Sequence, residues 1–223
     1  MSDVRPQWLR IAGRVIPVVT IDAAEQAEPL ADALTRGGIA CAEITLRTPA
    51  GLAAIERLAS REGFAVGAGT VLNATQAKAA IGAGAAFLVS PGFDDGVWTA
   101  GQQAGIPVLP GVATATEVQR AVNAGATTVK FFPATTSGGL PAVKALGAVF
   151  TQLRFMPTGG ITLGELGTWL AEPIIVAVGG SWIAPRELLR TGHLDRIQEL
   201  ARQTSDVLAG LPEAFDSPGR PDC

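Results

Sequence analysis

Short β-branched or apolar runs alternate with Ala-rich segments of helical period along almost the whole chain, and Gly, Pro or small polar residues mark nearly every junction. Strands are expected near 15–20, 40–46, 65–70, 87–90, 107–110, 128–132, 154–158 and 174–178. Helices are expected near 23–35, 49–61, 75–81, 94–103, 116–123, 141–146, 163–170 and 194–208. Several helices end in a small-residue turn that leads straight into a strand, as at Arg36-Gly37-Gly38, Gly82-Ala83-Gly84, Ala104-Gly105 and Ala124-Gly125. Glycine supplies the left-handed C-cap conformation at such turns. Strand, helix and parallel strand repeated eight times within 223 residues predict an α/β fold, a single closed (β/α)8 TIM barrel. An open doubly wound sheet is the alternative, but the first strand–helix junction, Val19-Thr20-Ile21-Asp22-Ala23, lacks a Gly-rich dinucleotide fingerprint. A short helix at 8–12 is expected near the start of the barrel domain of residues 1–209, ahead of its first strand. The Pro-rich, aperiodic stretch 210–223 reads as a flexible tail.

Composition narrows the functional classes. With 48% hydrophobic residues the chain can bury one sizeable core without disulfides or metals. A formal net charge of -3 and 17 scattered Lys and Arg residues offer no basic surface for nucleic acid. The two cysteines, Cys41 in an apolar run and Cys223 at the end, suit a reducing cytoplasm and draw neither a disulfide framework nor a metal site. No apolar run reaches membrane-spanning length and the first residues are polar, so a soluble cytoplasmic protein is expected. Tyr is absent, His193 is the single histidine, and the lysines are Lys78, Lys130 and Lys144. Acid–base or nucleophilic chemistry must therefore use carboxylates, those lysines, Ser, Thr or Cys.

Two charges lie where parallel strands should be apolar. Lys130 falls in Thr128-Val129-Lys130-Phe131-Phe132-Pro133 at the carboxyl end of the sixth predicted strand, and Glu43 in Cys41-Ala42-Glu43-Ile44-Thr45-Leu46-Arg47 of the second. Burying either without a partner costs several kcal/mol. Alternation puts Glu43, Thr45 and Arg47 on one face and leaves Ala42, Ile44 and Leu46 for the helices, so the polar set points toward the barrel mouth. One reading of Lys130 is structural: a snorkelling lysine or one arm of a buried ion pair. The other is chemical, because desolvation favours the free amine that attacks a carbonyl, which arginine could not supply. Glu43 opposes that effect by stabilising the ammonium, and in exchange offers a proton shuttle; the two would share protons as a unit. Lys78 and Lys144 look like solvated helix residues, and His193 like a surface turn residue without a catalytic role.

Two Gly-containing turns follow the last strands, Pro157-Thr158-Gly159-Gly160-Ile161 and Val178-Gly179-Gly180-Ser181-Trp182. In barrels the loops after the seventh and eighth strands often bind phosphate through backbone N–H groups, and this pair predicts a phosphorylated substrate; either turn alone could be only a tight turn. Arg47 could grip a carboxylate or merely cap the loop before Pro49. Thr70, after Gly67-Ala68-Gly69, could present its hydroxyl to the mouth or cap the next helix. Ser90-Pro91-Gly92 reads as pocket wall, and Phe132 as either substrate contact or core.

Together these motifs resemble the 2-keto-3-deoxy-6-phosphogluconate/4-hydroxy-2-oxoglutarate aldolases. The resemblance runs in order from about Pro17 to His193 through Glu43-Ile44-Thr45-Leu46-Arg47-Thr48, Gly67-Ala68-Gly69-Thr70-Val71-Leu72, Ser90-Pro91-Gly92, Val129-Lys130-Phe131-Phe132-Pro133-Ala134, Pro157-Thr158-Gly159-Gly160-Ile161 and Gly179-Gly180-Ser181-Trp182. It implies a metal-free, cofactor-free lyase of homotrimeric barrels. It also implies that Lys130 forms a Schiff base and Glu43 moves protons, that Arg47, Thr70 and Lys130 surround the pyruvate moiety, and that Gly159, Gly160, Gly180 and Ser181 bind phosphate. Thr135 departs from the acidic residue common after Phe-Phe-Pro-Ala. The alternatives are a 6-phosphogalactonate aldolase, a phosphate-binding isomerase or epimerase with Glu43 as base, and a catalytically idle sensor of a phosphorylated keto acid.

Overall fold

The computed structural model describes residues 13–211. The expected helix at 8–12 and all but the first two residues of the expected tail lie outside that range. Nine strands occur among the described residues: β1 (Val15–Val19), β2 (Cys41–Thr45), β3 (Ala65–Gly69), β4 (Leu88–Val89), β5 (Val108–Leu109), β6 (Gly111–Val112), β7 (Thr128–Phe131), β8 (Arg154–Pro157) and β9 (Val178–Gly180). Around them run α1 (Ala27–Arg36), α2 (Gly51–Ala59), α3 (Ala74–Gly82), α4 (Asp95–Ala104), α5 (Ala115–Asn123), α6 (Gly139–Val149), α7 (Leu166–Leu170), α8 (Arg186–Arg190) and α9 (Leu194–Ala209). The strands form a curled parallel arrangement of two sheets, ordered β5-β4-β3-β2-β1-β9 and β6-β7-β8. Parallel bridges Phe155↔Ile175 and Thr158↔Gly179 connect the second sheet to the segment that carries β9.

Local chemistry explains most boundaries. Asn73 and Asp94 accept the N–H of Gln76 (3.0 Å) and Val97 (2.8 Å), capping α3 and α4. Thr114 and Glu117 form a reciprocal capping box at α5, where Glu117 accepts from the backbone N–H of Ala113 and Thr114 and is held below the usual carboxylate range by those bonds. Gly38, Gly84, Gly105 and Gly125 all take positive φ, the conformation their C-terminal turns require. Inward from the helices, Phe87, Phe131 and Phe155 are fully buried together with the aliphatic faces of β1 and β2.

Several expectations need correction. The fifth strand is split at Pro110, which lacks a ladder N–H: β5 pairs with β4, while β6 pairs with β7. The eighth lies later than the apolar run 174–178 implies. Pro173 forces a turn in which Ile175 N–H bonds to Glu172 O, and β9 extends through Gly179 and Gly180, which therefore belong to a strand rather than to a turn after it. The first and seventh predicted helices begin as 3₁₀ turns, at Ala24–Gln26 and Leu163–Glu165. The sixth is longer than expected, and α8 occupies what reads from sequence as a mere connection.

Cys41 shows how completely β2 is enclosed. Its thiol donates to Val15 O at 3.5 Å, and burial pushes it from the ordinary 9.0 up to about 12. A thiol that ionises later in the folded than in the unfolded chain stabilises the fold fully below pH 9.0, and that contribution is lost as pH rises toward 12. Iodoacetamide at pH 8 is accordingly expected to leave Cys41 unmodified in the native protein and to label it after unfolding in guanidinium. Peptide mass mapping checks this, and rapid native labelling would contradict the burial.

Candidate active site

Lys130 sits in β7 with its backbone N–H bonded to Pro110 O at 2.9 Å, so the break between β5 and β6 supplies the carbonyl that fixes its level. Its side chain is 6% exposed, and Nζ donates to Glu43 Oε1 at 3.3 Å. Glu43, in β2, is fully buried, and its second oxygen, Oε2, has no hydrogen-bond partner among the described residues. A buried acceptor without a donor costs about 1–3 kcal/mol. Here it leaves a lone pair aimed into the interior beside an amine, the placement expected of a group that accepts a proton during turnover.

The carboxylate reaches that position because of Gly69. A Cβ on Gly69 would lie 2.1 Å from Glu43 Oε1 and 2.5 Å from its Cγ, so only glycine allows β3 to pass. Two residues earlier, on the same face, Gly67 makes the same allowance for the Phe87 ring. Gly69→Ala is expected to destabilise the protein by about 1–3 kcal/mol through overpacking and to displace the carboxylate from Lys130. Chemical denaturation and turnover measured on one preparation test this: turnover should fall more than the folded fraction does, and an unchanged rate would refute the contact.

Around this pair the remaining sequence-predicted residues gather. Phe132 is half-buried with its ring centroid 5.4 Å from Lys130 Nζ, so the ring borders the pair. Arg47 is exposed at the end of β2 and donates from Nε to Thr70 Oγ1 at 3.2 Å. Thr70 is the one non-glycine with positive φ among the described residues, at 57°. That conformation is unfavourable for a β-branched side chain, and Asn73 rather than Thr70 caps α3. Ser90 Oγ donates to Gly92 O at 2.7 Å and shapes the turn that carries Pro91. The Arg47 guanidinium thus stands at the rim with a hydroxyl beside it, a setting suited to a carboxylate.

Thr158, Gly159 and Gly160 form the turn after β8. Gly159 and Gly160 have φ of 102° and 82°, and Thr135 Oγ1 donates to Gly159 O at 3.2 Å. A Cβ on Gly160 would lie 2.0 Å from Thr135 Oγ1, which gives the residue that departs from the family pattern a packing role at this turn. The Thr158↔Gly179 bridge brings this turn against β9, whose two glycines are followed by exposed Ser181. Thr158 is 6% exposed, and its Oγ1 has no hydrogen-bond partner among the described residues. The two Gly-Gly segments therefore lie side by side, with Gly160 and Ser181 exposed and Gly179, Gly180 and the Thr158 hydroxyl buried next to them, a cluster of small residues and hydroxyls suited to an anion.

Other expectations divide plainly. Lys78 is exposed, Lys144 is tied to Glu172 at 2.7 Å, and His193 is exposed in the turn between α8 and α9. Two surface cavities of about 320 and 330 Å³ lie apart from the pair, one at the amino-terminal ends of β5 and β7 and the other beside Thr135 and Trp169. Among the described residues no group of three or more His, Cys, Asp or Glu side chains is placed to hold a metal ion, and no helix is long and apolar enough to cross a membrane. Sequence reasoning passed over Thr20, whose Oγ1 lies 3.0 Å from Thr45 Oγ1. Its parity with Val18 is legible in the sequence, but the pairing of that strand with β2, which gives the parity its meaning, is not.

Residues 8–200 match the model of the KDPG and KHG aldolase family. The chain belongs to this family. It is 45% identical over 199 residues to the 2-dehydro-3-deoxy-phosphogluconate aldolase of Treponema pallidum, covering 87% of this chain and 93% of that protein. Among solved structures, the KDPG aldolase of Legionella pneumophila with pyruvate captured as a covalent carbinolamine superposes with a TM-score of 0.83 at 42% identity, over 87% of this chain and 95% of the other. The 2-keto-3-deoxy-6-phosphogluconate aldolase of Zymomonas mobilis with 3-phosphoglycerate gives 0.81 at 42% identity, over 88% and 92%. The curled parallel α/β fold of these aldolases is thus the fold of this lyase.

Proposed function

We propose that this aldolase cleaves 2-keto-3-deoxy-6-phosphogluconate to pyruvate and glyceraldehyde 3-phosphate through a Schiff base on Lys130, with 4-hydroxy-2-oxoglutarate as a second substrate that yields pyruvate and glyoxylate. The observation that carries this reading is the buried contact of 3.3 Å between Lys130 Nζ and Glu43, beside a carboxylate oxygen without a partner among the described residues. The covalent pyruvate adduct in the Legionella pneumophila relative supports the chemistry, and the phosphorylated ligand in the Zymomonas mobilis relative supports the anion site.

The neutral Lys130 amine attacks C2 of the keto acid. Glu43 relays protons as the carbinolamine loses water, and the resulting iminium is an electron sink. Glu43, directly or through a water, then takes the C4 hydroxyl proton. The C3–C4 electrons move into the iminium, glyceraldehyde 3-phosphate departs, and the enamine is protonated at C3 and hydrolysed to pyruvate and free lysine. Arg47, Thr70 and the Pro91 turn hold the carboxylate, Phe132 closes the pyruvate side, and Thr158, Gly159, Gly160, Gly179, Gly180 and Ser181 receive the phosphate.

The same reading includes a closed (β/α)8 barrel over 1–209, with 210–223 as an appended tail, in a cytoplasmic homotrimer. The Thr158↔Gly179 bridge and the join of β5 to β6 through Pro110 support closure, because each links the two sheets at one seam. Borohydride in the presence of pyruvate tests the chemistry. The expected product is an adduct of one pyruvate per chain mapped to Lys130; an unmodified protein, or an adduct on Lys78 or Lys144, would overturn it.

A further inference from the structure

The first strand ends in a polar group that the reaction as written leaves without a task. In β1, Val18 pairs with Glu43 and Val19 with Ile44, so Thr20 stands level with Thr45 and on the inner face that carries Glu43. The contact between Thr20 Oγ1 and Thr45 Oγ1, 3.0 Å, fits that placement. Val19 is fully buried, whereas Val18 and Thr20 on either side of it are only half-buried. Two hydroxyls joined by one hydrogen bond still hold one hydrogen and three lone pairs between them. Thr45 is fully buried, so the remaining capacity is offered to the mouth through Thr20.

The chain beyond Thr20 is tied down. Thr48 Oγ1 donates to Ile21 O, and Arg186 binds Asp22 at 2.5 and 3.0 Å, holding that exposed carboxyl below its usual range through the hydrogen bond. Thr20 is therefore presented from a fixed strand end.

Sheet order says what would meet it. β1 lies between β2, which carries Glu43, and β9, which carries Gly179 and Gly180. If Glu43 serves C4 and the glycine turns hold the phosphate, the part of the substrate that joins them must cross β1. Neighbouring strands stand about 4.8 Å apart, which puts β2 and β9 roughly 10 Å from one another. Four bonds from C4 to phosphorus extend over roughly 5 Å, and a hydrogen bond of about 3 Å at each end completes that span. The midpoint of this stretch is C6, and the hydroxyl-bearing carbon next to it, within one bond of the level of β1, is C5.

We propose that Thr20 is a specificity-determining residue whose hydroxyl binds the C5 hydroxyl of the phosphorylated substrate, so that the site selects 2-hydroxy aldehydes in the condensation direction. This rests on the assignment of Lys130 and Glu43 given above. A purely structural role for Thr20, as partner to the buried Thr45 hydroxyl, predicts a loss that does not depend on the aldehyde.

The test condenses pyruvate with glyceraldehyde 3-phosphate or with 3-oxopropyl phosphate, which lacks only the hydroxyl in question, using wild type, Thr20→Val, Thr20→Ala and Thr20→Ser. The ratio of kcat/KM for the two aldehydes within one preparation cancels any loss of folded enzyme. In Thr20→Val and Thr20→Ala this ratio should fall about tenfold from the wild-type value, the effect of one neutral hydrogen bond left unmade. Thr20→Ser should restore most of it, and half-maximal trapping of pyruvate by borohydride should not move. An unaltered ratio in both variants overturns the proposal, whether or not the absolute rates fall. Wild-type enzyme that traps no pyruvate would instead remove the reading of Lys130 on which the proposal stands.

Discussion

Lys130→Met is expected to abolish aldol cleavage, with a fall on the order of 10⁵-fold or more, because a positioned intramolecular amine is worth an effective concentration of that size. No other amine can substitute: Lys78 is exposed on α3, and Lys144 is exposed on α6 and engaged by Glu172. Methionine keeps the length of the side chain but leaves Glu43 buried with its cation gone, a change that costs about 3–5 kcal/mol for a broken buried pair. The variant must therefore be compared with Lys130→Met/Glu43→Gln, which removes both charges and should recover much of the stability while remaining inactive. Thermal unfolding and steady-state cleavage on both proteins separate the two effects. Residual turnover above about a hundredth of wild type in the folded double variant would exclude covalent catalysis by Lys130.

Glu43→Gln should give the second largest effect. The amide keeps the shape of the carboxylate and a hydrogen bond to Lys130 but cannot accept a proton, so kcat is expected to fall about 10²- to 10⁴-fold, the usual contribution of one acid–base group. Lys130 remains, and borohydride should still capture pyruvate, more slowly. Exchange of the pyruvate methyl protons with deuterated water isolates the proton transfer from carbon–carbon cleavage, and it should slow along with cleavage. Rapid exchange with impaired cleavage would move the C3 proton transfer to another group.

Much of this was legible in residue order because the informative positions broke a local rule. A lysine and a glutamate in strands that bury every residue are conspicuous, and strand parity alone puts Glu43, Thr45 and Arg47 on one side. Parity does not say which strands adjoin. Thr20 was therefore unremarkable until β1 was seen paired to β2 with Val18 level with Glu43. The run Ile174-Ile175-Val176 looks like a strand by composition, yet Pro173 turns the chain and the ladder resumes at Val178, where glycines lie against Thr158 and Trp182. Side-chain contact, rather than propensity, decides that boundary. Helix α8 spans only five residues, too few for a periodic signal. Likewise, Gly69 was legible as cleared space, but what fills the space, the carboxylate of Glu43, depends on the distance between two strands.

Lys130 and Glu43 stand 87 residues apart in the chain and meet only across the interior. Helices and strand pairs close in sequence, such as β1–β2, β2–β3 and β7–β8, can form while the sheet that carries Glu43 and the sheet that carries Lys130 remain apart, since those contacts close short loops, whereas this one, like the β1–β9 pair, closes a long loop. The ability to capture pyruvate should consequently return last when denatured protein is diluted into buffer, after far-UV ellipticity has recovered. The reaction centre thus doubles as a clock for the docking of the two sheets.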